Sequence, residues 1–134
     1  MIFDRQTLVS DRQAITATAV STDTIDLGPI TRFRDVGKGT PIPFRVQVVE
    51  AFNTLTSLTI ALQVDDNTGF SSAKTVWSQV VPLAQLIAGA VFLPEYLPRG
   101  TDERYVRLSY TVTGTNPTLG RITAGVTMGN QTNE

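Results

Sequence analysis

The sequence contains no cysteine and no histidine. Without cysteine, neither a disulfide framework nor a cysteine-based metal site can form. Without histidine, the chain lacks the side chain that most often serves as a general base and as a metal ligand. These two absences restrict the available catalytic and metal-binding chemistry and favour a protein that is not an enzyme.

Charge and long apolar runs are also scarce. Charged residues make up 17% of the 134 residues, with a net charge of −1, whereas about 25% is usual for a soluble domain. A weakly charged surface argues against nucleic-acid binding, which needs a basic patch, and fits a protein packed against other proteins. No run approaches the ~18 apolar residues of a membrane span, and residues 1–6 lack the apolar region of a signal peptide. We therefore expect no nucleic-acid partner and no membrane.

The stretch 57–70 shows the pattern that the rest of the chain repeats. Leu58, Ile60, Leu62 and Val64 alternate with smaller or polar residues, as in a strand with one buried face. The polar residues that follow, 65–69, have the chemistry of a turn. This unit of a strand followed by a turn predicts one buried strand in the middle of the chain.

Further strands are predicted from the same pattern at 13–20, 23–27, 44–51, 74–81, 90–97, 103–113 and 121–128. Residues 82–89 begin with proline and end with glycine, which predicts a short helical turn. A chain of this length most often forms one domain. We therefore predict an all-β fold, a single-domain antiparallel β-sandwich over 1–134 with about eight strands, resembling a jelly roll; an immunoglobulin-like order remains open.

Three segments lack a strand pattern. Residues 1–12 contain Ile2 and Phe3 but no clean period, which indicates either a frayed terminus or an extended N-terminal arm that docks on a neighbour. Residues 28–43 form a long loop that carries Arg32, Phe33, Arg34 and Lys38. Loops of this length are often functional, so it is either a solvated loop or a partner-binding loop. Residues 129–134 are predicted to be a polar, mobile tail.

The segment 97–105 also allows two interpretations. It is either a salt-bridged turn that leads into the next strand, or a contact surface in which Arg99, Arg104 and Tyr105 bind a partner, since arginine and tyrosine are enriched at protein interfaces. Asp65–Gly69 lacks the spacing of a calcium loop, and we expect a turn there. Glu95 and Glu103 could act as paired carboxylates only in a small hydrolase, for which no other motif is present.

Segments along almost the whole chain resemble a known protein family. These are residues 1–4, 11–14, 37–43, 46–50, 55–72, 97–100, 104–110 and 121–125. In order and spacing they resemble the capsid cement (decoration) proteins of tailed bacteriophages, of the Bordetella-phage type. The resemblance implies a jelly-roll-like protein on the outer surface of the phage head that bridges major capsid protein subunits, without catalysis and without a cofactor.

The expected localisation is therefore the virion, after assembly in the host cytoplasm, with the major capsid protein as partner. Capsid symmetry makes a homo-oligomer plausible, a dimer or trimer at a symmetry axis. The candidate contact residues are Ile2, Phe3, Arg32, Phe33, Arg34, Lys38, Arg99, Arg104 and Tyr105. The alternative function is a carbohydrate-binding β-sandwich module, in which Trp77, Tyr96, Tyr105 and Tyr110 would stack on sugars.

Overall fold

The chain forms nine strands in the part that the structure, a computed structural model, describes: residues 2–29, 34–92 and 94–129. The strands are β1 (Phe3–Ala14), β2 (Ala19–Val20), β3 (Ile25–Asp26), β4 (Phe44–Glu50), β5 (Leu55–Asp65), β6 (Lys74–Pro82), β7 (Val91–Phe92), β8 (Tyr105–Gly114) and β9 (Arg121–Thr127). One turn of 3₁₀ helix, Leu83–Gln85, follows β6. The predicted all-β class and the short helical turn are confirmed.

The strands form two antiparallel sheets, in the orders β1-β9-β4-β7 and β2-β8-β5-β6, with β3 also pairing with β8. The pairing is nested along the chain: β5 pairs with β6, β4 with β7, β8 with β2 and β3, and β9 with β1. Further pairs, β4 with β9 and β5 with β8, complete the two sheets. This wrapped ribbon is the double-sheet order of a jelly roll, and it excludes the immunoglobulin-like order that the sequence left open.

The core lies between the two sheets and follows the predicted alternation. Leu58, Ile60, Leu62 and Val64 of β5 have no exposed surface. Strand β8 runs beside β5 and adds three predicted core residues, Val106, Leu108 and Tyr110, which are at most 1% exposed. The central position of β5 between β6 and β8 explains why its pattern is the clearest in the sequence.

Strand β6 departs from the prediction because it contains a bulge. Leu62 pairs with Trp77 and Gln63 pairs with Thr75, so Val76 is an additional residue in the strand. A bulge shifts the alternation by one residue, and Val76 packs against the core whereas Val80 is 63% exposed. Val76 and Val80 therefore lie on different faces, whereas unbroken alternation over the predicted strand 74–81 would place them on the same one.

Residues 3–12, expected as a frayed or extended arm, belong to edge strand β1, which pairs with β9 of the same chain. Val9 and Ser10 are buried there, at 1% and 0% exposure. The register between β1 and β9 shifts at three places. The apolar residues of β1 therefore do not alternate, and the sequence shows no period of two in this strand. At the other end of the chain, Met128, which the predicted strand 121–128 included, lies beyond β9 with 80% of its surface exposed.

Candidate partner-contact surface

Three loops meet at one end of the sandwich, and we call this region the charged end: residues 34–43, 66–73 and 94–104 with the adjoining strand termini. The start of β1 lies at the same end, because Phe3 pairs with Thr127 and Phe44, which follows the first loop, pairs with Val126. An isolated bridge between Pro43 and Tyr96 joins the first and third loops. The jelly-roll order therefore gathers segments that are far apart in sequence.

Asp35 holds two of these loops together. Its carboxylate accepts hydrogen bonds from the backbone N–H groups of Gly100 and Gly37, each at 2.8 Å. The backbone N–H of Val36 donates to the carbonyl of Thr101 at 3.1 Å. The bond from Gly100 is the main reason that the pKa of Asp35 lies below its ordinary value. Residues 34–43 and 94–104 thus form one unit, which we call the paired loops.

Gly37 allows the closest approach between the paired loops. A Cβ atom at this position would overlap the carbonyl of Pro98 and the backbone nitrogen of Arg99. Any other residue would push the two backbones apart, because the neighbouring atoms belong to the main chain and cannot rotate away. This contact is a packing requirement of which the loop sequence gives no sign.

Arg34 is a structural residue of the long loop. Its guanidinium donates hydrogen bonds to the carbonyls of Leu27 at 2.8 Å and Gly28 at 3.2 Å. The side chain therefore ties the second half of the loop to the end of β3. Arg34 was a candidate contact residue, but its charged group is engaged within the chain and it does not present a free cation.

Arg104 and Asp26 form a two-bond ion pair beside Tyr105. Nε and an Nη atom of Arg104 lie 2.8 and 3.0 Å from the two carboxylate oxygens of Asp26, and the guanidinium lies 4.9 Å from the centre of the Tyr105 ring. The hydrogen bond from Arg104 is the main cause that lowers the pKa of Asp26 to about 2. Of the two interpretations of 97–105, the salt-bridged turn describes Arg104 and Tyr105.

The 65–69 segment forms a turn, as predicted, around the buried carboxylate of Asp65. This carboxylate accepts hydrogen bonds from the N–H and the hydroxyl of Ser72, each at 2.9 Å, and from the N–H of Asp66 at 2.7 Å. Burial raises the pKa of Asp65, but these hydrogen bonds together lower it to about 2. Within the described ranges, no group of acidic side chains is arranged to hold a metal ion.

One contact at the charged end was not predicted at all. The guanidinium of Arg107 lies 4.1 Å from the centre of the Phe70 ring, and its Nε donates to Oε1 of Gln63 at 3.0 Å. Arg107 lies on the outer face of β8, between the buried Val106 and Leu108, but the turn that brings Phe70 over that face gives no periodic signal in the sequence.

The remaining candidate residues differ in exposure. Ile2 is 57% exposed, and its carbonyl accepts a hydrogen bond from the N–H of Met128. Phe3 is half-buried, while Lys38 and Arg99 are exposed. Arg32 and Phe33 lie outside the described residues. The charged end therefore offers Ile2, Lys38 and Arg99 as exposed groups on a scaffold fixed by Asp35 and Gly37.

Comparison with models of protein families gives a match, described below. A search of curated proteins finds none. No helix in the described ranges has the length and apolar character needed to span a membrane. The model of the Bbp16 family matches residues 9–126, from the second half of β1 almost to the end of β9. The family name suggests a Bordetella phage protein, in agreement with the phage resemblance seen in the sequence. The chain belongs to the Bbp16 family.

Proposed function

We propose that this protein is a structural protein of a phage head, which binds the outer surface and stabilises it by bridging neighbouring major capsid protein subunits. The observation that carries the proposal is the charged end, where hydrogen bonds accepted by Asp35 and donated by Arg34 fix loops that present exposed side chains. Family membership supports the phage context.

Fixed loops favour tight binding because little conformational entropy is lost when they contact a partner. Hydrogen bonds of Asp35 and Val36 join the two paired loops to each other. At Gly37 the two backbones are too close to admit a side chain. A surface of this kind suits a partner that is itself rigid and repeated many times. On a capsid lattice, many modest contacts add through multivalency.

The proposal includes a homo-oligomer, a dimer or trimer placed on a capsid symmetry axis, because such axes impose symmetric contacts. Copies would join the head after it assembles in the host cytoplasm. No catalytic step and no cofactor belong to this function. Its partner is the major capsid protein, and neither nucleic acid nor membrane takes part.

The aromatic residues give little support to the alternative carbohydrate-binding module. Tyr110 has no exposed surface, and Trp77 is half-buried against the core. The ring of Tyr105 is half-buried and lies beside the Arg104 guanidinium. Tyr96 is 47% exposed, but one exposed ring does not make the stacking platform that sugar recognition requires.

The test is co-sedimentation of purified protein with expanded phage heads that lack it. We expect saturable binding with a fixed number of copies per head, because the sites repeat on the lattice. Unexpanded heads, whose surface differs, are the matched control and should bind fewer copies. Absence of binding to expanded heads, together with binding on a glycan array, would replace the proposal with the carbohydrate module.

A further inference from the structure

We propose that Lys38 and Arg99 form a recognition site for carboxylate groups on the surface of the partner protein. This inference rests on the proposed function and specifies the chemistry that the head surface offers to the paired loops. We assign the site to a protein partner rather than to nucleic acid. Two cations on a chain of net charge −1 are few for binding a phosphate backbone.

The two cations are neighbours in space although 61 positions separate them in sequence. Lys38 directly follows Gly37, where an added Cβ atom would overlap the backbone nitrogen of Arg99. The charges of both side chains also lower the pKa of Asp35, which lies between the loops. The contact at Gly37 therefore fixes the spacing of the two residues before any partner binds.

These two differ from the other cations at the charged end. Lys74 pairs with Asp102 at 2.7 Å, and Arg104 pairs with Asp26. Arg34 and Arg107 donate to carbonyl and amide oxygens. In the part of the chain that the structure describes, the side chains of Lys38 and Arg99 have no hydrogen bond and no ion pair.

An exposed cation without an intramolecular partner keeps its full charge available for an intermolecular contact. The Asp35 carboxylate is held by the N–H groups of Gly37 and Gly100 and supplies one negative charge against the two positive charges, so the three side chains together keep a net positive charge. A partner carboxylate that docks over the paired loops would experience the positive charge of both residues. Arginine favours two parallel hydrogen bonds to such a group, and lysine adds a point charge.

The experiment measures binding of Lys38→Ala, Arg99→Ala and the double variant to expanded heads at several salt concentrations. At low salt we expect each single variant to bind about threefold more weakly and the double variant about tenfold, in the range of exposed ion pairs. The difference should shrink at ~1 M salt, where the Debye length is about 3 Å. Arg12→Ala, which removes an exposed charge at the opposite end, is the control and should bind like wild type.

The outcomes separate this inference from the proposed function. If wild-type protein binds and the double variant binds equally well at every salt concentration, the carboxylate site is wrong while the cement function stands. If wild-type protein does not bind heads, both are wrong. If the Arg12 control loses as much affinity as the double variant, general charge rather than this site explains the binding. Melting temperatures of the variants should equal that of wild type, because neither side chain bonds within the chain.

Discussion

The hydroxyl groups of Ser10 and Tyr110 lie 2.7 Å apart in the buried centre of the sandwich. Ser10 belongs to β1 of one sheet and Tyr110 to β8 of the other, so this hydrogen bond joins the two sheets. Because the Ser10 hydroxyl donates to Oε1 of Gln13, the Tyr110 hydroxyl donates to Ser10. Burial raises the pKa of Tyr110 far above its ordinary value, which keeps this donor protonated.

Replacing the two partners of this hydrogen bond should have unequal effects. Tyr110→Phe removes a buried hydrogen bond and should lower the free energy of unfolding by about 1 kcal/mol. Ser10→Ala leaves the buried Tyr110 hydroxyl without an acceptor and should cost more, about 2 kcal/mol. Urea unfolding of both variants and of the double variant gives the coupling energy. A coupling energy of zero would contradict the contact.

Deletion of the N-terminal residues tests whether β1 is part of the fold. Removal of 1–12 takes away Val9 and Ser10, which are buried, and leaves an edge of β9 without its partner. We expect a large fall in melting temperature or failure to fold, measured by circular dichroism. Removal of residues 1–2 alone is the control and should leave the melting temperature nearly unchanged. A stable protein after the longer deletion would restore the interpretation of 1–12 as a free arm.

Substitution of Gly37 tests the contact between the paired loops. Gly37→Ala would place a Cβ in the backbone of Pro98, and overpacking of this kind costs roughly 1–3 kcal/mol. Gly39→Ala is the matched control: Gly39 has a φ of +78° but no atom near the added Cβ, so it carries only the left-handed strain of about 1 kcal/mol.

We expect Gly37→Ala to weaken head binding as well, because the spacing of Lys38 and Arg99 changes. Gly39→Ala should leave binding close to wild type at temperatures where both variants are folded. Equal binding by the two variants would show that the separation of the paired loops does not matter for the partner.

Acid should destabilise the protein in a defined range. The pKa values of Asp26 and Asp65 are lowered to about 2, below the ordinary value of 3.8 for an unfolded chain. A lowered pKa in the folded state stabilises the protein above the unfolded pKa, and this stabilisation is lost as the pH falls through the folded pKa.

Thermal unfolding should therefore show a melting temperature that is steady from pH 7 to about 5 and falls between about pH 4 and pH 2. Asp65→Asn should reduce this fall, since it removes one of the carboxyl groups whose pKa is lowered by folding, although it also weakens the Ser72 hydrogen bonds at neutral pH. An identical pH dependence in the variant would mean that Asp65 does not contribute.

Sequence patterns predicted the strands that alternate regularly and missed those that do not. Strand β5 was placed almost to the residue because its buried positions keep a period of two over its length. Strand β1 was recognised only at its last two residues, 13–14, because its irregular pairing with β9 leaves no period-two pattern over 3–12. The bulge at Val76 reversed the expected faces of β6 for the same reason: one additional residue moves every later side chain to the other face.

The candidate surface was predicted only in part. Sequence identified the two loops and their cations, because long glycine- and proline-rich segments stand out between strands. It could not distinguish Arg34 and Arg104, which bond within the chain, from Lys38 and Arg99, which do not. That distinction depends on partners remote in sequence, such as Asp26 for Arg104, and no local pattern reports it.

The central claim is that the protein strengthens a phage head from outside. The most direct measurement compares the melting temperature of expanded heads lacking the protein before and after purified protein is added back, by differential scanning calorimetry. The account predicts a rise in melting temperature that saturates when the lattice sites are filled and that is smaller for the Lys38→Ala/Arg99→Ala variant at low salt. Heads that bind the protein but melt at an unchanged temperature would contradict it.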